Sequence, residues 1–205
     1  PCLEADPSQP HLPAAFSVTP QLFGSFLCRL FDLWYQDFED GLPTISIRYF
    51  DSLLHSYLGL SVNDCSLQQT CGDYLVIEHN GDVYSCDFFV DPECFLGNIT
   101  DNKLINLLNS SKQNQFGKEK AVLSNQCLKC QWLAHCHGGC LKDRLRNPTT
   151  SSLTFLCESY QQFFNYADKK LKLTSKRVNS QMQMQEKSLH PGARHRENQK
   201  IGRNS

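Results

Sequence analysis

The sequence predicts an α+β domain in which helices flank a β-hairpin. One stripe of apolar residues at helical spacing begins just after Thr19-Pro20, and a second one ends near Leu171. Between them, Asn80-Gly81 separates two short runs of residues that favour strands. The third observation is a set of eight cysteines in two groups, whose spacing predicts the chemistry of the functional site.

The first predicted helix begins at Pro20, because Thr19 is a favourable N-cap and proline suits the first helical position. Gly41 is expected to end this region. Residues 45–49 alternate between apolar and polar, which predicts a short strand, and residues 52–58 predict a helix. The apolar face of the first helix is formed by Leu22, Phe23, Phe26, Leu27, Leu30, Phe31 and Trp34.

The hairpin is predicted around Asn80-Gly81, the dipeptide most typical of a two-residue hairpin turn. Such a turn places Cys86 opposite Leu75, and Cys71 just outside the open end of the same ribbon. The turn is therefore expected to bring together two cysteines that are 15 positions apart.

After the hairpin, Asp101 is expected to cap a helix over residues 104–108, and the polar segment 110–120 predicts a loop or a frayed helix. Apolar periodicity is lost from about Lys172 onward, which predicts a disordered tail. The residues of the last predicted apolar face are Leu153, Leu156, Cys157, Tyr160, Phe163, Phe164, Ala167 and Leu171.

Charge and composition exclude several classes of partner. The net charge is −1, although residues 169–205 hold ten Lys or Arg against two acids. That basic segment has no aromatic residue for stacking on bases, so no nucleic-acid partner is expected. No run of 18 apolar residues occurs, so no membrane span is expected either. Eleven cysteines without a signal-peptide pattern indicate a reducing, cytoplasmic location, where thiols bind metals.

The cysteine spacing indicates iron–sulfur chemistry. The first group reads Cys65-x5-Cys71-x9-Gly81-x4-Cys86, and the second reads Cys127-x2-Cys130-x5-Cys136-x3-Cys140, closed by Cys157. Eight thiolates are the full ligand set of two four-iron clusters. In two-cluster ferredoxins, the last cysteine of a compact run binds the other cluster. The compact run of this chain, with its distant closing cysteine, resembles that arrangement.

Zinc and disulfides remain alternatives at this point. Cys127-x2-Cys130 fits one half of a structural zinc site, although Cys136-x3-Cys140 follows after only five residues. The odd number of cysteines and the expected reducing compartment weaken a fully paired disulfide framework.

Five residues near these motifs are not expected to be ligands. His135 and His137 lie on either side of a cysteine and are expected beside the site or at the surface. Cys28 lies in the first helix and is expected to be a small buried apolar residue. Cys2 and Cys94 match neither group, and no role is assigned to them.

The pattern C-x9–15-G-x4-C, then C-x2-C-x5-C-x3-C, then C is that of the SPASM extension in the radical S-adenosylmethionine superfamily. Cys65 matches an additional ligand of the sulfatase-maturating subgroup, and the segments SVTPQLFGSFLCRLFDLWYQD, ISIRYFD, CDFFVDPECFLGNI and CHGGCLKDR are similar to that subgroup. Over roughly residues 1–170, the chain resembles the C-terminal portion of an anaerobic sulfatase-maturating enzyme. The matching positions are Cys71, Gly81, Cys86, Cys127, Cys130, Cys136, Cys140 and Cys157.

The resemblance implies two auxiliary [4Fe-4S] clusters and three regions. Residues 1–60 would be the last piece of a radical SAM (β/α)6 barrel, residues 61–171 a SPASM-type iron–sulfur domain, and residues 172–205 a basic tail. The implied ligands are Cys65, Cys71, Cys86 and Cys140 for one cluster, and Cys127, Cys130, Cys136 and Cys157 for the other.

The resemblance also implies a reaction, the oxidation of a cysteine or serine of a sulfatase polypeptide to formylglycine. A 5′-deoxyadenosyl radical removes a hydrogen atom from the substrate Cβ, and the auxiliary clusters take the substrate electron. Asp87 matches the proposed general base of the family; without the resemblance it would be a solvated acid at a strand end. An external electron donor such as ferredoxin or flavodoxin is implied as a further partner.

The family's Cys-x3-Cys-x2-Cys motif, which holds a third [4Fe-4S] cluster and S-adenosyl-L-methionine, is absent from these 205 residues. Radical initiation by this chain alone is therefore not expected, and the chain looks like a fragment, a split product or a decayed copy. Whether it is itself an enzyme stays open. Two alternatives remain: a SPASM radical enzyme that modifies another peptide, and a non-catalytic metal-binding or electron-transfer module.

Overall fold

The computed structural model describes residues 2–147 and 152–189. It confirms the α+β class, with helices around a three-stranded antiparallel sheet in the order β1-β2-β3. Within the described ranges, no helix has both the length and the apolar character needed to cross a membrane. The elements are α1 (Pro20–Gln36), α2 (Arg48–Leu58), a 3-10 turn (Cys65–Leu67), β1 (Val76–Ile77), β2 (Asp82–Tyr84), β3 (Phe95–Asn98), α3 (Leu104–Leu108), α4 (Ser111–Glu119), α5 (Asn125–Leu128), α6 (Leu133–Cys136), α7 (Leu141–Leu145) and α8 (Cys157–Leu189).

Helix α1 begins where the sequence predicts. The Leu22 N–H donates to Thr19 Oγ1 at 3.3 Å, and Pro20 occupies the first turn. The helix ends at Gln36, earlier than predicted, because Gly41 serves a different purpose. Its φ of +78° lets the chain turn tightly within an isolated antiparallel bridge that follows the helix.

The strand predicted over residues 45–49 is wrong, since α2 (Arg48–Leu58) already begins inside that segment. Phe50, Leu53 and Leu54 are buried at helical spacing, and this periodicity continues back across the short alternating pattern. The apolar helical face that follows therefore decides the secondary structure here, and the short alternating pattern does not.

A single apolar core joins α1, α2 and α8. Phe31 lies at its centre, with ring centroids 5.4 Å from Phe50 and 5.6 Å from Phe163 in edge-to-face arrangements. Each such pair contributes about 0.5–1.5 kcal/mol beyond its buried area. The core contains residues from both 1–60 and 61–171, so the predicted boundary at residue 60 does not coincide with a break in packing. Its buried members are Leu3, Phe23, Leu27, Phe31, Trp34, Phe50, Leu53, Leu54, Leu67, Leu156, Tyr160, Phe163, Phe164, Ala167 and Leu171.

Helices α1 and α8 approach closely at their first turns. A Cβ on Gly24 would lie 3.1 Å from the Cα of Ser159, a tight contact that the glycine avoids. Ser159 Oγ also donates to the Pro20 carbonyl at 2.6 Å. These contacts fix the start of α8, where Cys157 lies.

Helix α8 extends to Leu189, so the disorder predicted from Lys172 is wrong for residues 172–189. Lysine, arginine, glutamine and methionine are good helix formers even without an apolar stripe. Lys172 also pairs with Asp168 at 2.8 Å across one helical turn, and Thr174 is buried. The predicted tail beyond this point, residues 190–205, lies outside the described residues.

For the segment after the hairpin, one expectation is corrected and one alternative is decided. Helix α3 begins after Lys103 without a side-chain cap, so Asp101 does not cap it. Of the loop or frayed helix predicted over 110–120, the structure has the helix, α4, which Ser110 caps by accepting the N–H of Gln113 on its Oγ at 3.1 Å.

Candidate functional site

The β1–β2 hairpin is present as predicted, but its register differs by one residue. The loop has three residues rather than two, since the Gly81 N–H donates to the Glu78 carbonyl at 2.9 Å with Gly81 at φ +86°. Continued along the two strands, this pairing places Cys86 opposite Tyr74 instead of Leu75. A one-residue slip reverses which side chains share a face, so this correction decides what contacts Cys86.

The structure brings the first predicted set of four cysteines together. Cys71 interacts electrostatically with Cys65 and Cys86, and Cys140 interacts with the same two thiols. Burial raises the pKa of Cys71 to about 11 and that of Cys140 to about 12. Thiols in this environment ionise when a cation binds them, because a bound metal reverses the local preference for the neutral form.

Helix α4 positions Cys71 within this set. The Cys71 N–H donates to the Gly117 carbonyl at 3.1 Å. Buried Gln113 donates from Nε2 to the carbonyls of Gly72 at 3.1 Å and Tyr74 at 3.0 Å. The segment that enters the hairpin is thereby held against α4.

The second predicted set is also brought together, around one cavity of about 400 Å³ measured to its open mouth. Cys127 lies on α5, Cys130 follows it, Cys136 ends α6 and Cys157 begins α8. All four line the cavity, and Cys136 interacts electrostatically with the other three. Burial raises the pKa of Cys136 to about 11.

The walls of this cavity suit sulfur ligands. Trp132 and Phe164 stack with centroids 5.5 Å apart and close one side. The backbone N–H of Trp132 donates to Cys130 Sγ at 3.5 Å, and Gln161 Nε2 donates to Cys157 Sγ at 3.4 Å. Apolar walls with N–H donors directed at sulfur are the features that tune iron–sulfur clusters.

A link of three residues joins the two sets between Cys136 and Cys140. His137, Gly138 and Gly139 all have positive φ, at +45°, +76° and +69°. Three consecutive left-handed residues reverse the chain within one short link, so that Cys136 faces one set and Cys140 the other.

Among the described residues, no three His, Cys, Asp or Glu side chains converge closely enough to hold one ion. The four cysteines of the second set line one shared cavity.

His135 lines neither the cavity of the second set nor the cleft beside the first set. Its ring stacks on Tyr57 with centroids 3.9 Å apart, and its Nδ1 lies 2.7 Å from Ser56 Oγ. His137 ends α6 in a left-handed conformation and lines neither site.

A large cleft opens beside the first set. Its volume is about 1700 Å³ measured to the open mouth, and Cys65, Cys140 and exposed Asp87 line it. Tyr74 donates from its hydroxyl to Asp87 Oδ1 at 3.0 Å and lies 3.3 Å from Cys86 Sγ. The Asp87 carboxylate and the Cys86 thiol therefore lie close together beside a cleft that has room for a ligand.

Sequence reasoning missed three residues of the site. Tyr74 would have been found with the correct hairpin register, because it lies opposite Cys86. Lys120 and Arg144 are buried cations beside the cysteines, and no periodic or spacing signal marks them.

Residues 65–131 match the SPASM family, an iron-sulfur cluster-binding domain. The chain is 40% identical over 153 residues to the cysteine-type anaerobic sulfatase-maturating enzyme of Clostridium perfringens (strain 13 / Type A), covering 74% of this chain and 41% of the relative. It is 39% identical over 156 residues to the serine-type enzyme of Bacteroides thetaiotaomicron, covering 75% and 37%. The solved structure of native anSMEcpe with bound AdoMet and Cp18Cys peptide matches with a TM-score of 0.72 and 36% identity, covering 80% of this chain and 45% of the other.

The fold and the match over residues 65–131 make this region similar to the SPASM-type iron–sulfur cluster-binding domains. The chain is related to the anaerobic sulfatase-maturating enzymes, as its cysteine spacing predicts. It spans less than half the length of the relatives it matches.

Proposed function

We propose that this chain is the auxiliary-cluster part of a radical SAM oxidoreductase that converts a cysteine or serine of a sulfatase to formylglycine. The observation that carries the proposal is the folding of eight cysteines into two sets of four, one of them beside a cleft with an exposed carboxylate. The names of the cysteine-type and serine-type relatives and the AdoMet and peptide in a similar solved structure support it.

Each set fits one [4Fe-4S] cluster in the number and type of its ligands. The first set would bind through four cysteines drawn from a 3-10 turn, the hairpin and the start of α7, and the second through cysteines of α5, α6 and α8. When bound, the clusters supply one-electron acceptors close to the cleft. The ligands assigned are Cys65, Cys71, Cys86 and Cys140, and Cys127, Cys130, Cys136 and Cys157.

Asp87 is proposed as the base that takes the proton from the substrate thiol or hydroxyl. A general base must lie within hydrogen-bond reach of the proton it removes, and Asp87 faces the cleft where a substrate side chain can enter. Tyr74 holds one of its oxygens, which leaves the other free to face the substrate. The adjacent Cys86 places proton removal beside the acceptor of the electron.

The remaining partners follow from the same proposal. S-adenosyl-L-methionine and a third cluster would bind through residues of the longer relatives, because these 205 residues lack Cys-x3-Cys-x2-Cys. This chain alone is therefore proposed not to start the radical reaction. An external donor such as ferredoxin or flavodoxin would supply electrons, in a reducing compartment such as the cytoplasm.

Anaerobic reconstitution with iron and sulfide tests the assignment. The chain is expected to take up about eight irons with a brown chromophore, as two four-iron clusters require. Cys71→Ala and Cys127→Ala are each expected to lose about four irons, because each removes one ligand set. Cys94→Ala is the matched control, since it removes a cysteine outside both sets and should keep the full content. Tight colourless zinc in place of iron would contradict the proposal.

A further inference from the structure

We propose that Lys120 and Arg144 are built-in countercharges for the two clusters and raise their reduction potentials. This inference rests on the proposed function, since it requires clusters at both cysteine sets. It assigns roles to two side chains that are neither ligands nor lining residues of the cleft.

Lys120 is fully buried, with 0% of its surface exposed. Its Nζ donates to the carbonyls of Cys65 at 2.5 Å and Ser66 at 3.1 Å, and to that of Gln68. Throughout residues 2–147 and 152–189, no carboxylate forms a salt bridge with it. Its hydrogen-bond partners are therefore backbone carbonyl oxygens of the segment that carries the first cysteine.

Arg144 is buried in the same way, with 2% of its surface exposed. Nε donates to the Gly138 carbonyl at 3.1 Å, Nη1 to the Val122 carbonyl at 2.9 Å and Nη2 to the His137 carbonyl at 3.1 Å. Two of these carbonyls belong to the link between the sets. In the described part of the chain, Arg144 likewise forms no salt bridge.

The two cations also interact electrostatically with cysteine thiols of the two sets. Arg144 interacts electrostatically with Cys127 and Cys136 of the second set and with Cys71 and Cys140 of the first. Its guanidinium thus acts on both sets at once. Lys120 interacts with thiols of the first set, those of Cys65, Cys71 and Cys140.

A buried cation without an anionic partner is unfavourable, because it loses its hydration without a compensating charge. Four thiolates around a [4Fe-4S] core provide that compensation, since the cluster with its ligands carries a net negative charge in both redox states. One-electron reduction adds a further negative charge. A nearby cation stabilises the reduced state more than the oxidised state, so it raises the potential.

The test is a redox titration of reconstituted chains, followed by electron paramagnetic resonance. Lys120→Met should lower the potential of the cluster at the first set, and Arg144→Met should lower both. At a fixed potential, the ratio of reduced to oxidised cluster should fall about tenfold, or 59 mV for a one-electron couple. Arg144→Lys keeps the charge and should restore most of the potential.

Lys118→Met is the matched control, because it removes an equal charge from an exposed site two residues from Lys120. It should leave both potentials unchanged. Loaded Lys120→Met and Arg144→Met chains with the potentials of the control would overturn the inference while leaving the proposed function in place. Should Arg144→Met fail to fold, Lys120→Met and Arg144→Lys decide the matter. A wild-type chain that takes up no iron would instead remove the proposed function itself.

Discussion

At the scale of single residues, the hydroxyl of Tyr74 contacts two groups with different proposed roles. It lies 3.0 Å from Asp87 Oδ1 and 3.3 Å from Cys86 Sγ. Burial and the contact with Cys86 raise the pKa of Tyr74 above its usual value, so the phenol keeps its proton at neutral pH. A phenol has one hydrogen to donate, and an ionised carboxylate is its better acceptor. Tyr74 is therefore a positioning residue for Asp87.

Tyr74→Phe should reduce kcat for formylglycine formation about tenfold or more, because a hydrogen bond to a charged group contributes about 1.5–3 kcal/mol. The assay uses a chimera that joins this chain to the remaining residues of the Clostridium perfringens relative, with a sulfatase peptide as substrate. Asp87→Asn in the same chimera should cost more, about 10²–10⁴-fold, as expected for loss of a general base.

Iron content and KM separate positioning from structural damage in this experiment. Both are expected to stay near the wild-type values in Tyr74→Phe. Tyr84→Phe is the control, since it removes a hydroxyl from the same hairpin and keeps the ring that packs on Phe95 at 5.6 Å. Equal activity of Tyr74→Phe and wild type would remove the positioning role, and an unchanged rate in Asp87→Asn would remove the base.

At the scale of elements, α4 is the support on which the first cysteine set is built. Gly117 lies in the interior of this helix, where a Cβ would come 2.4 Å from the Cys71 carbonyl oxygen. That oxygen is backbone, so it cannot rotate away. The absence of a side chain at Gly117 therefore permits the approach that places Cys71.

Gly117→Ala should destabilise the chain, although alanine in a helix interior is normally favoured over glycine by about 1 kcal/mol. The added methyl group must displace Cys71, so the variant should also lose about four irons from the first set while the second set keeps its four. Thermal unfolding and iron analysis measure the two effects. Gln115→Ala on the exposed face of α4 provides the comparison, and it should leave both quantities nearly unchanged. A stabilised Gly117→Ala chain with full iron would contradict this account of the helix.

Local signals predicted the elements whose causes are local. The N-cap at Thr19 and the periodic face of α1 were sufficient for that helix, and the Asn80-Gly81 pair was sufficient for a hairpin. The register was not predictable, since two- and three-residue loops both use Gly81 and the choice depends on hydrogen bonds across the strands. The helix beyond Lys172 has no apolar stripe, so periodicity did not indicate it.

The candidate site shows the same division. The cysteines were recognised through spacing, and their grouping into two sets came from the resemblance to a family. The burial of Lys120 and Arg144 depends on carbonyls contributed by several distant segments. The sequence does not show which distant segments come together, so the roles of Lys120 and Arg144 could be recognised only in the structure.

At the scale of the whole molecule, two kinds of stabilisation divide the chain. Helices α1, α2 and the first half of α8 share an apolar core around Phe31. The region from the 3-10 turn to α7 has short elements and carries seven of the eight cysteines in the two sets. Bound metal is expected to stabilise this second region most. Its cysteines come together only in the folded chain, so metal binding there favours folding.

Removing iron with a chelator under reducing conditions should therefore loosen the chain unevenly. Amide hydrogen exchange is expected to speed up over residues 65–86 and 127–140, while the cores of α1 and α8 keep most of their protection. Cys28→Ser, which alters a cysteine on α1 outside both sets, should show the wild-type pattern before and after chelation. Uniform loss of protection across all helices would show that the apolar core does not stand without metal.

The short left-handed link between Cys136 and Cys140 has a consequence for how charge travels through the protein. Four residues of extended chain reach at most about 14 Å, so no hinge or domain swing can carry these two cysteines further apart than that. In the proposed two-cluster arrangement, an electron passing between the clusters would therefore have only a short distance to cross. The upper limit on that distance would come from the covalent backbone between Cys136 and Cys140 and would not depend on packing.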